Sequence, residues 1–139
     1  MSRVSAIHHI NMQITDIERS KEWYEKVFGV ERKDIGADYA DRMLELYVGT
    51  GEFHLVKVEE PIYLQTNHVA VEISDWEGMM AHLAELGIPF DGANDPKGEA
   101  GPKFRHHDGS YTAYIRDPDS NMIELVHHPR GLVWASPAS

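Results

Sequence analysis

The chain has no cysteine, which excludes disulfides and thiolate metal ligands and fits a cytoplasmic setting. Any metal must therefore be held by His, Asp, Glu or Tyr. No stretch approaches the roughly 18 consecutive apolar residues of a membrane helix. The opening Met1-Ser-Arg-Val-Ser lacks the apolar core of a secretory signal. Basic residues are scarce: 13 Lys and Arg stand against 23 Asp and Glu, the net charge is -10, and no Lys/Arg cluster stands out. Such a chain repels phosphate backbones, so nucleic acid is not an expected partner. What remains is a chain of 139 residues with 42% apolar residues and a mean hydropathy of -0.44. That is one soluble domain of ordinary size, with room for two half-sized repeats.

Histidine is in excess. There are nine, six of them in the internal doublets His8-His9, His106-His107 and His127-His128, which directs attention to a metal. Residues 68–75, His-Val-Ala-Val-Glu-Ile-Ser-Asp, are an edited copy of residues 9–16, His-Ile-Asn-Met-Gln-Ile-Thr-Asp. In extended chain, side chains alternate between faces. Ile10, Met12 and Ile14 then oppose His9, Asn11 and Gln13, just as Val69, Val71 and Ile73 oppose His68, Ala70 and Glu72. Each copy has one apolar face and one face that carries a histidine at the same height.

The two copies share a grammar. After the first strand Asp16 is placed to cap a helix whose stripe is Ile17, Tyr24, Val27 and Phe28, and Gly29 is placed to stop it. A hairpin over 43–48 and 52–58 follows, turning at Gly49-Thr50-Gly51. After the second strand Ser74-Asp75 caps a helix with Trp76, Met79, Met80, Leu83 and Leu86 on one face, read as core packing, and Gly87 ends it. A long Gly/Pro-rich stretch, 91–109, precedes a final hairpin of 111–116 and 122–126. The tail after Pro129 shows no clear pattern. The halves, 6–61 and 65–129, thus read as two strand–helix–strand modules of one α+β domain, two half-shells enclosing a cavity.

Glu124 lies between Ile123 and Leu125 on the last strand, so a period of two turns it away from its apolar neighbours. His9, His68 and Glu124 then make a two-histidine, one-carboxylate set with open positions for substrate and oxygen or water. That set suits Fe(II), and Mn, Ni, Co or Zn as Lewis acid. His8 is read as lying on the wrong face of its strand and His127 as out of phase with Glu124. Neither these two nor His128 is taken as a ligand.

The doubled His-to-Asp strand, helix, glycine and hairpin, ending in Arg-Asp-Pro-Asp-Ser-Asn-Met-Ile-Glu, resembles the vicinal oxygen chelate superfamily (glyoxalase/bleomycin resistance/dioxygenase) from Ile7 to His128. The resemblance implies paired βαβββ modules forming a cup-shaped mixed sheet with helices outside and a divalent metal within. It carries the ligand role to His9, His68 and Glu124, and implies a homodimer by analogy. Glyoxalase I enzymes of this family use a glutamate, as ligand and base, where this chain has His54.

The segment from Arg105 to Glu124 is similar to the signature of type I extradiol dioxygenases: a histidine, a tyrosine seven to nine residues on, Asp-Pro, and the ligand glutamate ten after the tyrosine. Here His106 precedes Tyr114 by eight and Tyr114 precedes Glu124 by ten. That signature has an aliphatic residue where this chain has Ala113 and a glycine where it has Ser120. It also places an active-site histidine about fifteen residues before the second metal histidine, and His54 precedes His68 by fourteen. Chemistry gives these residues roles. A neutral His54 is a plausible base for a catechol proton, and Tyr114 and His106 are placed to hydrogen-bond the substrate oxygens. The expectation is a cytoplasmic, Fe(II)-dependent ring-cleaving dioxygenase acting on a small catechol-like molecule. A glyoxalase-like isomerase or lyase and a metal-free small-molecule binding protein are the alternatives.

Overall fold

The computed structural model describes residue 4, residues 6–64 and residues 67–131; the tail from 132 onward lies outside the described residues. In chain order the elements are β1 (His9–Ile14), α1 (Ile17–Phe28), β2 (Met43–Val48), β3 (Gly51–Lys57), β4 (His68–Glu72), α2 (Trp76–Leu86), β5 (Lys103–Phe104), β6 (Tyr111–Arg116) and β7 (Met122–His127). Both helices begin and end as their sequences require. The Asp16 carboxylate accepts from the Arg19 N–H at 2.9 Å and that of Asp75 from the Gly78 N–H at 2.9 Å. Each such cap is worth about 1 kcal/mol. Gly29 and Gly87 close the helices at φ 65° and 68°, a region open to glycine without a Cβ penalty.

Contacts divide the chain into two compact units. The first is Met1–Gln65 with Arg116–Asn121, and the second is Thr66–Ile115 with Met122–Ser139. The first holds a three-stranded sheet ordered β1-β3-β2, with β1 parallel and β2 antiparallel to β3. The second holds a four-stranded sheet ordered β4-β7-β6-β5, with β4 parallel to β7. The expected βαβββ pattern is complete in the second unit. In the first, the extra strand is reduced to a single bridge between Arg32 and Leu46.

The alternation expected from sequence sorts the first sheet, whereas β7 is buried at every position from Met122 to Val126. In the first, Ile14, Leu44, Leu46, Phe53 and Leu55 are buried with Ile17, Tyr24 and Val27 of α1. In the second, Ala113, Ile115, Ile123 and Leu125 are buried, as are Trp76 and Leu83 of α2. Met79 and Met80 are half-buried. Phe28, placed on the stripe of α1 by its spacing, is also half-buried, and Ser20 takes the fully buried place. Its Oγ has no hydrogen-bond partner. A buried unpaired hydroxyl is a net cost, and alanine is the better helix former. Ser20→Ala is therefore expected to raise stability by about 0.5–1 kcal/mol, read as a higher midpoint in urea unfolding.

The turn between β6 and β7 is grouped with the first unit, and its hydrogen bonds show why. Asp117 Oδ1 accepts from the backbone N–H groups of Asp119 and Asn121 at 2.9 and 2.8 Å. Its Oδ2 accepts from the Tyr24 hydroxyl at 2.9 Å and from Asn121 Nδ2 at 2.8 Å. Asp119 accepts from the Thr15 hydroxyl and N–H at 2.6 and 3.0 Å and from Arg19 at 2.8 Å, and Asn121 Nδ2 also donates to the Gln13 carbonyl at 2.7 Å. Burial pushes the Asp117 carboxyl above its usual value despite these donors, and pushes Tyr24 up together with the charge of Asp117. For Asp119 burial acts upward too, but Thr15 and Arg19 outweigh it and the net shift is downward. Ser120 sits at φ 67°, a conformation glycine adopts freely, which accounts for the glycine that the signature carries there.

Among the described residues, no helix is long and apolar enough to cross a membrane.

Candidate functional site

The polar face of the first sheet collects His9, His54, Glu45 and Glu52. Register places His54 opposite Asn11 on β1 and opposite Glu45 on β2. The rings of His9 and His54 are stacked 3.8 Å apart, and His8 Nδ1 lies 2.9 Å from His9 Nδ1. One nitrogen from each of His8, His9 and His54 falls within a 4.8 Å group. This corrects the sequence reading of His8. β1 begins at His9, so strand alternation does not govern the preceding residue, and His8 turns toward its neighbour.

His54 Nε2 is 2.7 Å from Glu52 Oε2, and Lys33 Nζ is 2.8 Å from Glu52 Oε1 and 3.5 Å from Glu45. The bonds from His54 and then Lys33 lower the Glu52 carboxyl from the usual 4.5 to about 2. The folded value lies below the unfolded one, so this carboxylate adds stability above pH 4.5 that is lost as pH falls toward 2. Glu52→Gln is expected to flatten that part of the acid-unfolding curve, measured as midpoint denaturant concentration against pH.

The second sheet carries a different set at the equivalent place. Glu124 pairs with Ala70, two residues past His68, as His54 pairs with Asn11, two past His9. The registers thus make His54 and Glu124 counterparts. Glu124 is 5% exposed between fully buried Ile123 and Leu125. Its Oε2 lies 3.1 Å from His68 Nε2, while its Oε1 accepts from Thr112 Oγ1 at 2.7 Å and from Arg105 Nη2. Asn94 Nδ2 donates to His68 Nδ1 at 3.1 Å. The Tyr114 ring stands edge-on to His68, with centroids 5.4 Å apart. Burial and then the charge of Glu124 raise the Tyr114 phenol, which keeps it protonated and able to donate. Asn94, Lys103, Arg105, Thr112 and Tyr114 help to line a cavity of about 240 Å³ in this unit.

Of the residues singled out in sequence, the structure brings His68, Glu124 and Tyr114 together in this unit and His9 and His54 together in the other. It does not bring His106 to Glu124. Lys103 and Arg105 reach Asp95 and Glu124, whereas Phe104 packs near Tyr111 and the exposed His106 stands edge-on to Phe104 at 5.0 Å. Alternation past β5 puts arginine, not histidine, beside the carboxylate. His127 hydrogen-bonds the Ile73 carbonyl at 2.6 Å, and His128 lies 2.9 Å from Glu72, which occupies both outside the Glu124 group. Asn94, Arg105 and Thr112 were not selected in sequence. Thr112 shares its strand face with Tyr114 and was legible on that ground; Asn94, inside a loop, had no signal.

His68 Nε2 and Glu124 Oε2 are two possible ligand atoms 3.1 Å apart, while among the described residues the groups of three possible ligands are His8, His9 and His54 and Glu45, Glu52 and His54, all in the first unit.

Residues 6–125 match the family described as the Glyoxalase/Bleomycin resistance protein/Dioxygenase superfamily. The chain is 34% identical over 126 residues to a trivalent organoarsenical cleaving enzyme of Bacillus sp. (strain MD1), which covers 86% of this chain and 71% of that protein. Among solved structures, a glyoxalase family protein of Bacillus anthracis superposes with a TM-score of 0.75 at 17% identity, covering 92% of this chain and 98% of the other. Lactoylglutathione lyase of Agrobacterium tumefaciens gives 0.69 at 20% identity, covering 91% and 96%.

Proposed function

The chain belongs to the glyoxalase/bleomycin resistance protein/dioxygenase superfamily, and on that footing we propose that it is a divalent-metal enzyme of the extradiol dioxygenase type, Fe(II)-dependent and acting on a small catechol-like aromatic. The observation that carries the reading is the 3.1 Å approach of His68 Nε2 to Glu124 Oε2, with the remaining atoms of both side chains bonded to other groups. His9 belongs to the proposed ligand set on the strength of the sequence repeat. When bound there, Fe(II) would acidify a coordinated hydroxyl and recruit dioxygen.

The chain's own residues supply orientation and proton handling. Tyr114, kept protonated by its surroundings, donates to an oxygen of the substrate. His54 is the proposed base. Its Nε2 lies 2.7 Å from Glu52 Oε2 and its Nδ1 3.6 Å from Glu45 Oε1, so a carboxylate stands beside each ring nitrogen to take or return a proton. Arg105 takes the place beside Glu124 that spacing had given to His106.

A second reading, cleavage of a carbon–arsenic bond, is favoured by the 34% identical relative. Trivalent arsenic is a soft centre that prefers sulfur donors, and this chain has no cysteine, so its nitrogen and oxygen donors favour an oxygen-bearing substrate. The test is oxygen uptake and product absorbance with iron-loaded protein across a panel of catechols and a trivalent aromatic arsenical. Uptake with a catechol and a yellow ring-cleavage product is the expected result. Silence toward every catechol with iron retained would sink the dioxygenase reading, and release of inorganic arsenite would install the second.

A further inference from the structure

Three imidazoles of the first unit meet without help from the second. Nδ1 of His8 and Nδ1 of His9 are 2.9 Å apart, and one nitrogen from each of His8, His9 and His54 falls in a single group within 4.8 Å. Two ring nitrogens this close cannot face each other as bare lone pairs, so one must carry a proton, and a metal ion can take that proton's place. An ion about 2.1 Å from each nitrogen spans donors up to about 4.2 Å apart, so the His8–His9 pair is within reach of one ion. The ring of His54, stacked 3.8 Å from that of His9, joins by tilting out of the stack, because parallel rings do not aim at one point.

Backbone contacts fix His8 although it precedes β1. Its carbonyl accepts from the Glu52 N–H at 3.0 Å, and Gly51 lies so close that a Cβ there would meet the same oxygen at 3.1 Å. His54 is supported on both sides, with Glu52 2.7 Å from Nε2 and Glu45 3.6 Å from Nδ1. Whichever nitrogen turns to an ion, the other keeps a carboxylate, the arrangement that orients a metal-bound histidine. These two carboxylates outnumber the Lys33 ammonium that pairs with them, so the charge beside the cluster favours a cation.

We propose that His8, His9 and His54 form a site for an imidazole-preferring divalent cation such as Zn²⁺, contained within the first unit. The family resemblance places a metal on His9, His68 and Glu124, a set in which His8 has no part. The site does not depend on the proposed reaction. Where His9 and His54 serve that reaction, an ion held here draws both away from it, and the two uses exclude one another.

The test is equilibrium dialysis of Zn²⁺ against the full chain carrying Glu124→Gln, which weakens the other set and leaves this one intact, with thermal unfolding of each metal-free protein. That protein is expected to bind Zn²⁺, and X-ray absorption at the zinc edge to show imidazole ligands. Adding His8→Ala or His54→Ala is expected to weaken binding by at least about 10-fold, since changes outside a ligand shell already cost that much. His8 is exposed, so its replacement leaves unfolding cooperative, and His8→Gln serves as a second variant. Zn²⁺ binding that neither His8 variant alters would overturn the assignment. If wild type binds Zn²⁺ and the Glu124→Gln protein does not, the set with His68 and Glu124 stands and this site is overturned.

Discussion

On the proposed ligand role of Glu124, Glu124→Gln is expected to lower affinity for a divalent cation by more than about 100-fold, with little change in the fold. Changing a partner outside the ligand shell costs 10- to 100-fold, and removing a ligand's charge costs more. Glutamine keeps the volume of the side chain, which matters at a position 5% exposed between two fully buried neighbours. It also keeps an oxygen for the Thr112 hydroxyl. What it removes is the negative charge 3.1 Å from His68 Nε2 and beside the Arg105 guanidinium. Arg105 is 30% exposed and can turn part of its charge to water, so the cost to the metal-free protein is about 1–2 kcal/mol. Calorimetric titration with Co²⁺ and urea unfolding of the same sample separate the two effects. A variant that binds Co²⁺ like wild type would remove Glu124 from the site.

The second large effect is on stability. Asp117→Ala is expected to cost about 3–5 kcal/mol, a sizeable part of the roughly 5–15 kcal/mol that holds an ordinary domain together. Four donors converge on this carboxylate, and the alanine leaves all four without it. The most costly is the Tyr24 hydroxyl, because Tyr24 is fully buried. Burial already disfavours the Asp117 charge, so part of the loss is offset when the carboxyl is removed, which keeps the figure below four separate penalties. Tyr24→Phe, which removes one donor and leaves three, is expected to cost about 1–2 kcal/mol. A double-mutant cycle of the two by urea unfolding should show strong coupling. Additive effects would mean that the bond contributes nothing.

Local pattern made much of this protein legible. The capping aspartates, the glycines that end both helices and the strict alternation of Val69 to Ile73 depend on neighbours in sequence, so they could be read there. The same alternation placed Glu124 on the face that carries His68. What escaped depends on partners distant in the chain. Tyr24 and Asp117 are 93 residues apart, and no local rule joins them. β5 is two residues long inside a Gly/Pro-rich stretch, too short to show a period, so the choice between Arg105 and His106 could not be made from spacing. His8 was misread because the first residue of a strand cannot be fixed to within one position by pattern alone.

The hairpin turn at Asp117–Asn121 bears on how the two repeats can be handled. A cut near residue 65, where the modules meet in sequence, would not release two complete pieces. The first half would lose the carboxylates and amide that serve Tyr24, Thr15, Arg19 and the Gln13 carbonyl, since all of them come from the far end of the chain. A duplicated gene begins as two interchangeable copies. In this chain the last turn of the second copy is built into the first unit, so the first unit is complete only with residues 116–121.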